Sequence, residues 1–375
     1  EHDWSRSVIS LAAAINMIVY SAGSIIAGRL LDHAAPNRII TLGALLAAAG
    51  FLATSLISTP WGFYLSYGLL AGAGASCLGV VVCSSSVGKW FVKKRGVAIG
   101  IATMGISFGT VALAPLAGFL NAHLGWRAGL LALGIIICLT GLVIGNALMG
   151  RTDPESHGML PDGDAPEAGR IAAPAIVKRI PTRVIFRDGR FWTIALGQGL
   201  TVMVIMSVFV HQVAYAMDRQ IDPIAAAASL AVISASGFFG QFFFGWLSDR
   251  VDDPKYAYFL GIFILLWGTI LLWRADQTSF LYLSAAVYGF GYGCLAPILP
   301  ILVSDRFGRH VLGSIYGLLT FFVGLGGAIG PLLGGLIYDR FGSYRHLWEI
   351  NIVILALMAI VSLTLKKGKP FPADA

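Results

Sequence analysis

The sequence predicts an all-α protein built inside a membrane, and three observations predict it. Of its 375 residues, 57% are hydrophobic and only 12% are charged, with a mean hydropathy of +0.79. A soluble domain uses about a quarter of its residues as Asp, Glu, Lys and Arg to keep its surface in water. Apolar runs of roughly twenty residues, the length of helix that crosses a hydrocarbon core, recur along the whole chain. The second part of the chain also repeats the first at a fixed offset. Soluble enzymes, nucleic-acid binders and disulfide-stapled domains are excluded on these grounds.

Eleven spans are expected, near 7–27, 38–57, 62–87, 96–119, 128–149, 193–217, 225–247, 256–273, 279–302, 313–336 and 347–365. The long break at 151–190 carries Pro154, Pro161, Pro166, Pro174 and Pro181 among acids, bases and alanines, a linker composition with nothing to bury. It divides the chain into a first bundle at 1–150, the linker, and a second bundle with a short tail at 191–375.

The repeat runs at an offset of 217 residues. Gly23 matches Gly240, Gly28 matches Gly245 and Asp32 matches Asp249; further on, Gly72-Ala-Gly74 with Cys77-Leu78 matches Gly289-Phe-Gly291 with Cys294-Leu295, and Gly100 and Gly125 match Gly317 and Gly342. The span at 193–217 has no counterpart in the first half. The expectation is therefore a fragment whose parent has one more helix before Glu1 and six spans in each half.

Basic residues are retained on the cytoplasmic side of a membrane. With the expected spans, 20 of the 26 Lys and Arg residues fall on the side of the linker and the C-terminus, and six (Arg6, Arg127, Arg219, Arg274, Arg340, Arg345) fall on the other. The linker and tail are thus expected in the cytoplasm, with the chain in the cell's inner or plasma membrane. The net charge of +7 follows from this asymmetry and implies no nucleic acid. Cys77, Cys83, Cys138 and Cys294 lie in apolar runs without the spacing of a zinc site. The acids are confined to loops and span ends, so no catalytic, metal or cofactor constellation is expected.

The sharpest motifs lie at the linker-side ends of paired helices: Gly28-Arg-Leu-Leu-Asp32 with Arg38, and Gly245-Trp-Leu-Ser-Asp249-Arg250 with Lys255. Each glycine lets two helices approach closely. Each carboxylate is placed to face the positive start of a neighbouring helix, near Gly313 for Asp32 and near Gly96 for Asp249 by the repeat. These residues resemble the loop motif of the major facilitator superfamily, although His33, Ala35-Pro36 and Val251-Asp252-Asp253 depart from it. Trp4-Ser5-Arg6 and Trp90-Phe91-Val-Lys93-Lys94-Arg95-Gly96-Val97-Ala98 with Gly100, Ala102 and Gly105 look like signatures of its monocarboxylate porter and oxalate:formate antiporter branch. The resemblance covers nearly the whole chain. It implies the major facilitator fold, two pseudo-symmetric six-helix bundles that alternate access to a central site, usually as a monomer among membrane lipid, with Asp32, Asp249, Lys94 and Arg95 in the gate.

Transporters of that branch place an Arg in the eighth helix, and the oxalate porter adds a Lys in the eleventh. Here 225–247 and 313–336 contain neither. His211 is the one ionisable candidate inside a span, a proton carrier or oxyanion donor weighed equally against a histidine that packs two helices. Tyr215 and Gln241 join it in the expected site, with Tyr288 and Tyr292, one turn apart, as the cavity pair and Asn16 and Tyr20 on the opposing half. For these, hydrogen bonding between helices competes with ligand contact. The function expected is secondary transport of a small organic solute, a monocarboxylate or related acid, with protons as coupling partner. The alternatives are a neutral or hydrophobic solute, and a sensor or partner subunit of the same fold that moves nothing.

Overall fold

The computed structural model describes residues 6–147, 154, 159–163 and 181–367. The Glu1-to-Ser5 part of the opening motif and most of the linker lie outside them. The described residues form α1 (Arg6–Leu31), α2 (Pro36–Ser55), the run α3 (Pro60–Trp90) and a continuous stretch, Arg95–Ala147; beyond the linker come α6 (Gly189–Asp218), α7 (Pro223–Ser248), α8 (Pro254–Trp273), the run α9 (Thr278–Phe307), α10 (Leu312–Phe341) and α11 (Arg345–Leu363). Arg95–Ala147 holds 53 residues, roughly 80 Å of helix against a hydrocarbon core of about 30 Å. Gly125 divides it, because its φ of 77° and ψ of 160° are not helical. Two helices result, α4 (95–124) and α5 (126–147), so each of the eleven expected spans falls on a helix of the described residues, 148 and 149 lying outside them.

Local chemistry sets the boundaries. Pro36, Pro60, Pro223 and Pro254 open their helices, where a missing N–H costs nothing. Asp222 caps α7 by accepting from the Ile224 and Ala225 amides, and Gly342 ends α10 in the left-handed conformation (φ 63°, ψ 16°). Outward faces stay apolar: Ile18, Leu196, Phe239 and Ile360 are all more than half exposed, as a surface solvated by lipid requires.

The halves meet along two seams, α1 on α10 and α4 on α7. A methyl group added at Gly28 would overlap the Gly313 carbonyl, and one at Gly313 would overlap that of Gly28; Gly96 and Gly245 stand in the same relation. The offset of 217 maps one pair onto the other. Only hydrogen fits at these four positions, so the backbones touch where the two halves join.

Candidate functional site

Directly beside those glycine pairs, the carboxylates of the loop motifs cross from one half to the other. Asp32, just past α1, accepts from the Gly313 amide (3.2 Å), the Ser314 amide (2.9 Å) and the Ser314 hydroxyl at the start of α10. Asp249, just past α7, accepts from the Gly96 amide (2.6 Å) and the Val97 amide (2.8 Å) at the start of α4. A helix start presents unpaired N–H groups and a partial positive charge, so each carboxylate is a latch on the opposite half. Burial raises both carboxyls above their ordinary value, outweighing the bonds donated to them.

Other charges reinforce this end. Lys89 donates to the Leu31 carbonyl at 2.9 Å, and Arg309 to the Lys89 carbonyl across the halves at 3.3 Å. Arg306, 0% exposed, is paired with Asp253 at 2.6 Å and with Asp305; the sequence placed it in a loop, but α9 continues to Phe307. The linker contributes a residue that the sequence reading missed. Asp162 accepts from the amides of Val92 (3.0 Å), Lys93 (2.9 Å) and Lys94 (3.4 Å), on the same short loop whose other side Asp249 holds. Partly desolvated as it is, those amides keep its carboxyl below the ordinary value. Arg95 lies among Arg309, Asp305, Asp249 and Asp162. Arg38 is exposed, and Arg250 is exposed over the Trp246 ring, 4.3 Å from its centroid.

Above the latches, two helices are interrupted at nearly repeat-equivalent places. α3 contains a π-helical stretch, Tyr64–Ala71, and breaks at Gly79 (ψ 177°), while α9 breaks at Gly293 and Cys294. Paired interruptions in the two halves mark the substrate region of such folds, and the repeated Gly-x-Gly-x-x-Cys-Leu segment is their sequence signal. Polar side chains converge there. The Tyr20 hydroxyl lies against Gly79, the Gln241 backbone packs on Gly293, and Tyr292 packs on Gly237 with its ring 5.5 Å from that of Phe209. Tyr316, from α10, lies beside Tyr20 and Cys83 and joins the group without having been singled out. The Gln198 Nε2 and Gln241 Oε1 atoms are buried and unpartnered.

His211, Tyr215 and Asn16 are each bonded within one half. The His211 Nε2 atom is 2.9 Å from the Pro331 carbonyl and Nδ1 is 3.3 Å from the Tyr344 hydroxyl. A carbonyl only accepts, so Nε2 carries a hydrogen and donates to Pro331, leaving Nδ1 to face the Tyr344 hydroxyl. His211 thereby ties α6 to α10 and α11. Tyr215 donates to the Trp273 carbonyl at 2.8 Å, and Asn16 to the Tyr67 carbonyl at 2.7 Å. Tyr288 is 1% exposed, its backbone and Cβ pack against Gly268 of α8, and its hydroxyl is buried and unpartnered.

Two repeat-related sets of apolar helices, joined at one end by hydrogen bonds between the halves, are the architecture of a membrane carrier. The chain belongs to the Major Facilitator Superfamily, whose family model matches residues 1–323 and again 234–374. It is 29% identical over 364 residues to monocarboxylate transporter 13 of Bos taurus, covering 95% of this chain and 80% of that one, and 26% identical over 395 residues to monocarboxylate transporter 12 of Mus musculus, covering 98% and 79%. Among solved structures it superimposes on the E. coli fucose:proton symporter with a TM-score of 0.73 at 16% identity, covering 97% and 92% of the two chains. The human organic anion transporter gives 0.72 at 14% identity, covering 94% and 82%. The chain is therefore a transporter of this superfamily, related to the monocarboxylate transporters, and not an enzyme.

Proposed function

We propose that the protein carries a small organic acid, a monocarboxylate or close relative, across the membrane by alternating access, the acid and a proton moving together. The observation that carries the reading is the pair of latches: Asp32 and Asp249 hold the halves at the linker end through helix-start amides, and their release opens that end. The relatives named monocarboxylate transporters supply the substrate class. The polar groups around the helix breaks refine it. Tyr20, Tyr292, Tyr316 and Gln241 offer hydroxyls and an amide, and 225–247 and 313–336 hold no Lys or Arg. A buried carboxylate without a cation is strongly disfavoured, whereas a carboxylic acid, itself donor and acceptor, suits such groups. The substrate then brings its own proton, and His211 is left to its packing role. The linker end faces the cytoplasm by its excess of Lys and Arg.

Uptake into proteoliposomes of the purified full-length protein tests this. Lactate or pyruvate accumulating under an inward proton gradient, and failing to accumulate without it, is the expected result; accumulation indifferent to the gradient would discard the proton. The missing cation also favours a second reading, a neutral solute. That reading predicts uptake of an uncharged compound and of none of the acids.

A further inference from the structure

We propose that a cleft at the end of the second half remote from the latches is a binding site for a small oxyanion, a carboxylate or a phosphate. Its walls are Arg219, Arg274 and Arg345 with Trp273, around about 160 Å³. The three arginines come from three places, just after α6, just after α8 and the first residue of α11, so the fold gathers them. They are half of the six cations on the side of the membrane that is otherwise poor in them.

The floor of the cleft is fixed. Arg274 and Arg345 lie 5.8 and 5.9 Å from the centroid of the Trp273 ring, and Arg219 lies 5.2 Å from that of Tyr215, whose hydroxyl is bonded to the Trp273 carbonyl. Aromatic faces hold guanidinium groups in place without neutralising them. Only Arg345 has a partner acid, Glu349 at 3.0 Å; among the described residues Arg219 and Arg274 form no ion pair. Of the nearby acids, Asp218 and Asp276 are close in sequence to Arg219 and Arg274. Asp222 caps α7, while Asp218 and Asp276 make no ion pair with the cleft among the described residues. Three like charges around one small cleft repel one another, and an oxyanion relieves that repulsion while accepting forked N–H donors. The volume suits a carboxylate or phosphate group on a small molecule. The level, at helix ends lined by Trp and Arg, also suits the phosphate of an anionic lipid.

The test compares the full-length protein with the variant Arg219→Gln/Arg274→Gln, both in nanodiscs. Inorganic phosphate is titrated calorimetrically in neutral-lipid discs, and thermal unfolding is compared between phosphatidylcholine and phosphatidylglycerol discs. A free anion as the ligand predicts binding by the parent that weakens at least tenfold in the variant. A lipid as the ligand predicts no such binding, but a rise in Tm with phosphatidylglycerol that the variant loses. Equal behaviour of parent and variant in both assays overturns the proposal. Because the variant spares the latches and the helix breaks, its proton-driven uptake at saturating substrate is expected to equal the parent's, so this site and the transport reading fail separately. A control, Arg340→Gln, at the same end but outside the cleft, is expected to match the parent in both assays.

Discussion

Asp32 and Asp249 make the same contact, a carboxylate on two amides at the start of a helix in the other half, yet Asp32 takes a third bond from the Ser314 hydroxyl where Asp249 faces Val97, the repeat-equivalent residue. Asp32 has Lys89 near it; Asp249 has Arg95 near it and a second acid, Asp162, on the far side of the same loop. The seams above them differ as well. Ser21 and Ser24 of α1 meet Gly324 and Gly317 of α10, but Phe238 and Gln241 stand at the equivalent places in α7. Symmetry thus sets the backbone contact and leaves each latch its own side-chain surroundings. The first is the stronger by one hydroxyl, and the second is the one the linker touches.

The comparison breaks most completely at the glycines. Gly28→Leu and Gly245→Leu each force a side chain into the opposing backbone, so each is expected to cut proton-driven uptake at least tenfold while leaving protein in the membrane by immunoblot. Removing the carboxylates is the next largest effect. Hydrogen bonds to a charged group contribute about 1.5–3 kcal/mol, so Asp32→Ala shifts the latched population by a factor of roughly 10 to 150, and Asp249→Ala by less. Spin labels on His33→Cys and Tyr256→Cys, exposed sites at this end of opposite halves, in a background without the four native cysteines, read the change as a longer distance. Equal shifts in the two variants would remove the asymmetry.

Single groups sharpen it further. Ser314→Ala is expected to bring the first latch down to the second, a change of about 1 kcal/mol or fivefold in population, and Val97→Ser to move the second toward the first. Asp162→Asn is expected to weaken closure by under 1 kcal/mol, and in a double-mutant cycle to couple to Asp249→Asn while adding independently to Asp32→Asn.

The smallest effect is that of pH, and here the acids differ in sign. Burial raises Asp32 and Asp249 in the latched state, so their protonated forms prefer it. Latching at these carboxyls is favoured as pH falls from neutral toward the ordinary carboxylate value, and the gain is lost as pH rises through the raised values. Asp162 is lowered when docked, so the linker contact persists above the ordinary value and is lost as pH falls through the lowered one. Measured between pH 7 and 4, the label distance is expected to shorten, less so in Asp32→Asn.

Much of this was legible in the sequence because it depends on spacing. Apolar runs gave the spans to within a few residues, and the offset of 217 placed Asp32 near Gly313 and Asp249 near Gly96 before any contact was seen. The rest depends on rotation and on partners far along the chain. Tyr288 and Tyr292 are one turn apart, and four residues leave about 40° between side chains on a 3.6-residue helix, but only the structure shows that Tyr292 packs on Gly237 while the Tyr288 backbone packs on Gly268. His211 reads as a lone ionisable group until Pro331 and Tyr344 are brought beside it. Asp162 lies in a segment without periodicity, and Arg306 is charged in a stretch that reads as a loop, so neither announced its role. The helix breaks fall in or next to the repeated Gly-x-Gly-x-x-Cys-Leu segments, which in the sequence show the repeat but not the backbone.

The central claim is that the two carboxylates gate transport without holding the substrate. Lactate counterflow and lactate binding, measured side by side on the full-length protein and on Asp32→Ala/Asp249→Ala in the same proteoliposomes, test it most directly. The account predicts counterflow reduced at least tenfold with Kd changed less than twofold. Undiminished counterflow, or binding lost together with it, would contradict it.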